Sequence, residues 1–242
     1  MKPHFLWLLL AIGPCFAFGQ TKVTRTYPIN KGQSVSVKFD YPKLIRVSSW
    51  AGNEIVVEAT ININEGENNE AFQLLDTASA GWISIRGTVD MKSIPESYYV
   101  VANGSKIRFT TKQDLQAYIA DKKDEIRSNY QTKDVDISID IKIPEGVSTE
   151  LVSVYGTVEL LNCNMPILVD AKYGNVDASV RAKNTGQVKL TTRYGKIYTN
   201  LDLKPTEQID KNFFTSITAT PGTGPKYELS APYGNIYLRN AL

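Results

Sequence analysis

The sequence predicts an all-β chain: a β-solenoid or β-helix-like stack of short strands turning through Tyr-Gly corners, with one α-helical insertion. Three observations predict it. A Tyr-Gly pair recurs at a period of about twenty residues, which is the spacing of repeat architectures. Apolar and polar residues alternate on both sides of each pair, as in strands with one face buried. Helical periodicity is strongest in a single stretch, residues 113–130.

Four copies align on the pair: LVSVYGTVEL, VDAKYGNVDA, LTTRYGKIYT and LSAPYGNIYL, containing Tyr155-Gly156, Tyr173-Gly174, Tyr194-Gly195 and Tyr233-Gly234. Four residues before each tyrosine stand Leu151, Val169, Leu190 and Leu229, and two before stand the small Ser153, Ala171, Thr192 and Ala231. Strict alternation gives these positions the tyrosine's phase and predicts that all four rings point inward, with the small residues making room for them. Beyond the glycine the apolar residues move to odd spacing, as at Val158, Val176, Ile197 and Ile236. Such a change of phase needs a bend, and glycine adopts one at low cost. The stretch KPTEQIDKNFFTSITATPGTGPK separates the third copy from the fourth and reads as an insertion or a degenerate copy.

The N-terminal half carries the same pattern more loosely. VKFDYPKLIRV places Tyr41, Pro42 and Leu44 where a copy has tyrosine, glycine and its next inward residue. Ile55, Val57, Ala59, Ile61 and Ile63 then alternate as a strong strand. Ala71, Leu74, Leu75 and Ala78 have helical spacing, so a short helix is expected over 69–78. Leu115, Tyr118, Ile119, Ile126 and Tyr130 form the stripe of the main helix, an insertion over about 112–131 that packs against or caps the stack. DVDISIDIKIPEG resumes strict alternation.

The first nineteen residues read as a cleaved signal peptide. Lys2 gives a positive start, FLWLLLAI an apolar stretch too short to span a bilayer comfortably, and Ala17-Phe18-Gly19 the small residues before a cut at Gln20. Residues 20–242 then form a single domain. Lipidation at Cys15 is the lesser reading, because Pro14 occupies a position where a small flexible residue is expected. Cys163 would be the mature chain's one cysteine, with no partner for an intrachain disulfide. The 27 basic and 25 acidic residues nearly balance, so no nucleic-acid footprint is expected, and no second apolar stretch suggests a membrane span. His4 is the sole histidine, and its removal would leave no imidazole for acid–base work or zinc.

These residues resemble the bacterial "putative adhesin" domains, exported β-solenoid-like proteins whose biochemical role is undefined. The resemblance rests on SSWAGNEIVVEATI, on IKIPEGVSTELVSVYGTVEL, and on the later KYGNV, RYGKI and PYGNI, and covers most of 25–240. It implies a strand start at Trp50, a short helix over 69–78, a turn at Pro144-Glu145-Gly146 and rungs at the Tyr-Gly pairs. It lapses over 93–133.

Together these features favour a non-enzymatic exported envelope protein, an adhesin or macromolecule-binding scaffold of the periplasm or cell surface. Such a protein needs no cofactor, metal or catalytic residue, and its unpaired end strands leave room for a weak homodimer. The alternative is a carbohydrate-binding module, or a glycan-active enzyme built on paired carboxylates. Tyr198 and Tyr237 take the outward phase and are the candidate surface contacts. Asp134, Asp136 and Asp140 lie outward on one strand and could supply oxygen ligands to calcium, but the Asp-x-Asp-x-Asp-Gly loop is absent and a solvated face is favoured. PGTGPK lacks the spacing of a phosphate loop and reads as a turn.

Overall fold

The computed structural model describes residues 19–241; the expected signal peptide, His4 and Cys15 fall outside them, Gly19 excepted. The chain is mostly β, in mixed sheets of eight and nine strands and an antiparallel sheet of three. One α-helix occurs among the described residues.

Each Tyr-Gly copy supplies one strand to each of the two large sheets. Thr149–Tyr155, Ile167–Tyr173, Tyr227–Ala231 and Val188–Thr192 lie parallel in the nine-stranded sheet. Their continuations Thr157–Leu161, Val176–Val180, Ile236–Asn240 and Ile197–Thr199 lie parallel in the eight-stranded one. Register keeps like with like: Leu151 opposes Val169, Val169 opposes Leu229, and Leu229 opposes Leu190. All four are buried in one core with Val158, Val176 and Ile236, each aliphatic contributing roughly 1.5–3 kcal/mol by leaving water.

Stacking order differs from chain order. The fourth copy lies between the second and the third. The intervening segment is a β-hairpin, Pro205–Lys211 and Phe214–Ala219, which pairs antiparallel with the far edge of Val188–Thr192. The chain then returns to the free edge of the second copy.

Ser34–Phe39 and Leu44–Trp50 continue the two sheets before the first copy. Here Ile45 and Val47, not Leu44, oppose Val158 and Leu160, because the corner at Pro42-Lys43 is one residue longer than the glycine corners. Val135–Pro144 lies parallel to Leu44–Trp50 and antiparallel to Glu54–Ile63. Ile55 to Ile63 and Ile137 to Ile143 bury alternate side chains, as their spacing predicts.

Two helical expectations are corrected. Residues 69–78 form a single 3₁₀ turn, Asn69–Ala71, and then the strand Phe72–Ala78, whose whole length pairs with Trp82–Val89. The main helix spans only Lys112–Asp121, capped by the Thr111 hydroxyl accepting from Asp114 N at 3.1 Å. Ile126–Thr132 is instead a strand on Ser97–Ala102, which also carries Ser105–Phe109. The pairing edge offered by Ser97–Ala102 outweighs a weak local preference. This three-stranded unit has its own small core of Val100, Ala102 and Leu115. Arg108 fastens it to the main body through Glu65 at 3.3 Å and Glu67 at 2.7 Å.

Candidate functional site

The four corner tyrosines do not point inward. Tyr155, Tyr173, Tyr194 and Tyr233 are 45%, 55%, 59% and 58% exposed. Alternation holds as far as Ser153, Ala171, Thr192 and Ala231, which are wholly buried where the chain leaves one sheet for the other. Tyr155 and Tyr173 are the last residues of their strands, and Tyr194 and Tyr233 lie just past theirs, so all four sit on the outside of the corner, where strand parity no longer governs a side chain. The small residues fit the inside of the corner rather than make room for a ring. Two use a hydroxyl there: Ser153 donates to Tyr155 O at 2.7 Å, and Thr192 donates to Ala231 O at 2.8 Å while accepting from Gly195 N at 3.1 Å.

The glycines are required by close approach more than by the bend. A Cβ on Gly174 would overlap the carbonyl oxygen of Gly156, one on Gly234 that of Gly174, and one on Gly195 that of Gly234. Of these four, Gly156 alone has positive φ, at 93°. Beside them runs a column of asparagines that sequence reasoning missed: Asn175 Oδ1 accepts from Asn235 N at 2.8 Å, and Asn235 Oδ1 from Lys196 N at 2.8 Å. The repeated Gly-Asn of the second and fourth copies was its signal.

Stacking at the strand spacing turns the corner tyrosines into a ladder. Tyr41 to Tyr155, Tyr155 to Tyr173, Tyr173 to Tyr233 and Tyr233 to Tyr194 have centroids 5.4, 5.3, 5.0 and 5.1 Å apart. Interplanar angles are 19–22°, so the rings stack. Phe213, at the hairpin tip, ends the row 6.0 Å from Tyr194 and tilted by 34°. Each interior ring covers its neighbours' faces, leaving edges and hydroxyls outward.

Tyr198 and Tyr237 make a second stack, 5.2 Å apart and 9° from parallel. Tyr198 is 46% exposed. Tyr237 is half-buried, with the Arg239 guanidinium 5.6 Å from its ring centre. Between the two stacks, where the eight-stranded sheet ends at Ile197–Thr199 and the nine-stranded sheet continues into the hairpin, a cleft of about 510 Å³ opens. Arg193, Tyr194, Lys196, Tyr198 and Phe213 line it. Sequence reasoning missed Phe213, Arg193 and Lys196.

The outward carboxylates are each answered by a cation. Asp136 meets Lys43 at 2.5 Å, Asp140 meets Arg46 at 3.6 Å, and Asp134 accepts from both Lys106 and Tyr99 at 3.2 Å. Three carboxylates neutralised in this way do not converge on one point, and no group of three or more His, Cys, Asp or Glu able to hold a metal occurs among the described residues. Burial pushes the Cys163 thiol up to about 12, so it stays protonated at neutral pH and is a poor nucleophile. Tyr227, buried beneath it, donates to Cys163 O at 2.5 Å. In PGTGPK, Gly222 and Gly224 back onto the carbonyls of Ala182 and Asn184, which places the segment as a packed turn. No helix among the described residues is long and apolar enough to cross a membrane.

No protein-family model matches the chain, and no curated protein does. Among solved structures, a "putative cell adhesion protein" from Clostridium sporogenes aligns over 91% of this chain and 100% of its own, at 10% identity and a TM-score of 0.43. A "putative adhesin" from Bacteroides fragilis aligns over 91% and 97%, at 11% identity and a TM-score of 0.21. Both TM-scores lie below one half, a likeness too loose to carry a function across to this chain.

Proposed function

We propose that this is an exported, non-enzymatic envelope protein that binds a macromolecule through the corner face of a solenoid-like stack. The parallel, in-register copies support the solenoid reading, and the apolar leader of the sequence supports export. One observation carries the binding reading: a row of exposed aromatic rings from Tyr41 to Phe213 on the outer corner of the fold. A contiguous exposed aromatic surface marks an interaction site more often than a structural accident, and here the core is complete without it.

The test is adsorption of the purified 20–242 chain to envelope fractions of its own cell. Wild type is expected to bind, and a Tyr155→Ser, Tyr173→Ser, Tyr233→Ser variant that keeps the far-ultraviolet circular dichroism and cooperative unfolding of a folded chain to bind at least about tenfold more weakly. Equal binding by the two proteins would refute the reading.

A further inference from the structure

We infer that the cleft between Phe213 and Tyr198 takes an acidic sugar residue of a linear glycan. This rests on the binding reading and narrows it to one ligand class and one end of the ladder.

A sugar ring stacks on an aromatic face, and the ladder's interior rings have none to offer. Free faces remain at its ends and on Tyr198, which has Tyr237 on one side and no further strand beyond Ile197–Thr199 on the other. Phe213 supplies a second aromatic surface across the cleft.

Phe213 is also where the backbone is under strain. Asn212 and Phe213 form the two-residue loop of a hairpin with φ of 53° and 61°, the signs that a type I′ turn requires. The hairpin Ser97–Ala102 to Ser105–Phe109 makes its two-residue turn with Asn103 and Gly104, at φ of 51° and 77°. Glycine is the ordinary occupant of the second position; a bulky ring at positive φ is an outlier. Phe213 is 79% exposed, and its one aromatic contact, the tilted one with Tyr194, leaves most of the ring in water, so packing offsets little of the strain. A residue that costs the fold in both ways is one that a binding site, not a turn, explains.

Charge supplies the rest. Arg193 and Lys196 line the cleft, and neither forms an ion pair among the described residues. Aromatic edges present the positive end of the ring quadrupole, so the rim of Tyr194 adds to the same field. Asp210 is the one carboxylate of the lining, and it accepts from the Thr215 hydroxyl at 3.0 Å. Gln208 and Thr215 offer partners for sugar hydroxyls. The combination is complementary to a saturated ring that carries an anionic group.

The experiment titrates the 20–242 chain with oligogalacturonate and with its fully methyl-esterified form, by calorimetry at low salt. The acid is expected to bind and the ester to bind at least about tenfold more weakly. Phe213→Gly is expected to raise the melting temperature, by relieving the turn, and to weaken binding of the acid about tenfold or more. Arg193→Gln with Lys196→Gln is expected to abolish binding and to lower the melting temperature only slightly, through loss of the exposed Arg193 contact over the Phe214 ring. Failure of the acid to bind, equal affinity for acid and ester, or full affinity in Phe213→Gly would overturn the inference. Envelope adsorption separates the two readings: wild type that adsorbs but ignores the acid overturns the glycan assignment alone, whereas wild type that does neither overturns both. Adsorption abolished by protease treatment of the envelope and untouched by periodate would assign the partner to polypeptide and overturn the glycan assignment.

Discussion

Leu229 and Tyr233 stand four residues apart on the same sequence parity, in a copy that the chain repeats, yet one is 1% exposed and the other 58%. The same contrast separates Leu151 from Tyr155, Val169 from Tyr173 and Leu190 from Tyr194. Alternation is a property of a chain held in a sheet ladder, and it ends where the ladder ends. The aliphatic column lies within its strands and builds the core. The tyrosine column lies at the corner, where glycines one residue later let successive turns approach, and it builds the surface.

If that division is right, the glycine beside the tyrosine matters most. Gly174→Ala would drive a methyl group into the backbone carbonyl of Gly156, and a backbone atom cannot rotate away as a side chain can. Relief requires parting the strand pairs on both sides of the corner. The expected loss exceeds about 4 kcal/mol, in the range of the most severe single substitutions, and is read from the urea midpoint or from failure to fold. A loss below about 1 kcal/mol would mean that the corners yield to a methyl group and that close approach is not what requires glycine.

Leu229→Ala comes next. The side chain is buried in the core between Val169 and Leu190 in register, and truncation is expected to cost about 2–5 kcal/mol, from lost transfer energy and the cavity left behind. The β-sheet neighbours are held by backbone bonds on both sides, so little collapse into the cavity is expected and the upper half of that range is favoured. A loss under about 1 kcal/mol in the urea midpoint would show that the aliphatic column is not the core.

How far this division could be read from the sequence depends on which residues are asked. The buried sets Ile55 to Ile63 and Ile137 to Ile143 were legible because each lies wholly within one strand. The glycines were legible as corners, but the reason was not, since the carbonyl that excludes a Cβ belongs to another copy. The outward tyrosines were not legible, because no spacing states where along a copy the chain leaves its sheet. Insertion of the fourth copy between the second and third was equally hidden: aliphatic columns so similar fit in either order. The helix at 113–130 was half legible, since Ile126 and Tyr130 satisfy a helical stripe and a strand alike. Asn212-Phe213 carried a readable signal, a two-residue turn between alternating runs, with a ring where glycine belongs.

The smallest effect is expected for Tyr173→Ala, and it is the sharpest comparison because the ring belongs to the same strand as Val169. Tyr173 touches Tyr155 at 5.3 Å and Tyr233 at 5.0 Å between centroids, so its removal breaks the ladder at its middle. Stacked aromatic pairs contribute about 0.5–1.5 kcal/mol each beyond their buried area. Half-exposed rings recover hydration when separated, which places the net loss at roughly 1 kcal/mol. The urea midpoint should therefore fall less than for Leu229→Ala, while near-ultraviolet circular dichroism, which reports coupling between rings, should change strongly. A loss as large as that of Leu229→Ala would make the ladder a structural spine and withdraw the observation on which binding rests. A small loss accompanied by weaker envelope adsorption would leave the corner column what its exposure indicates: a surface that the glycines and the aliphatic core hold in place.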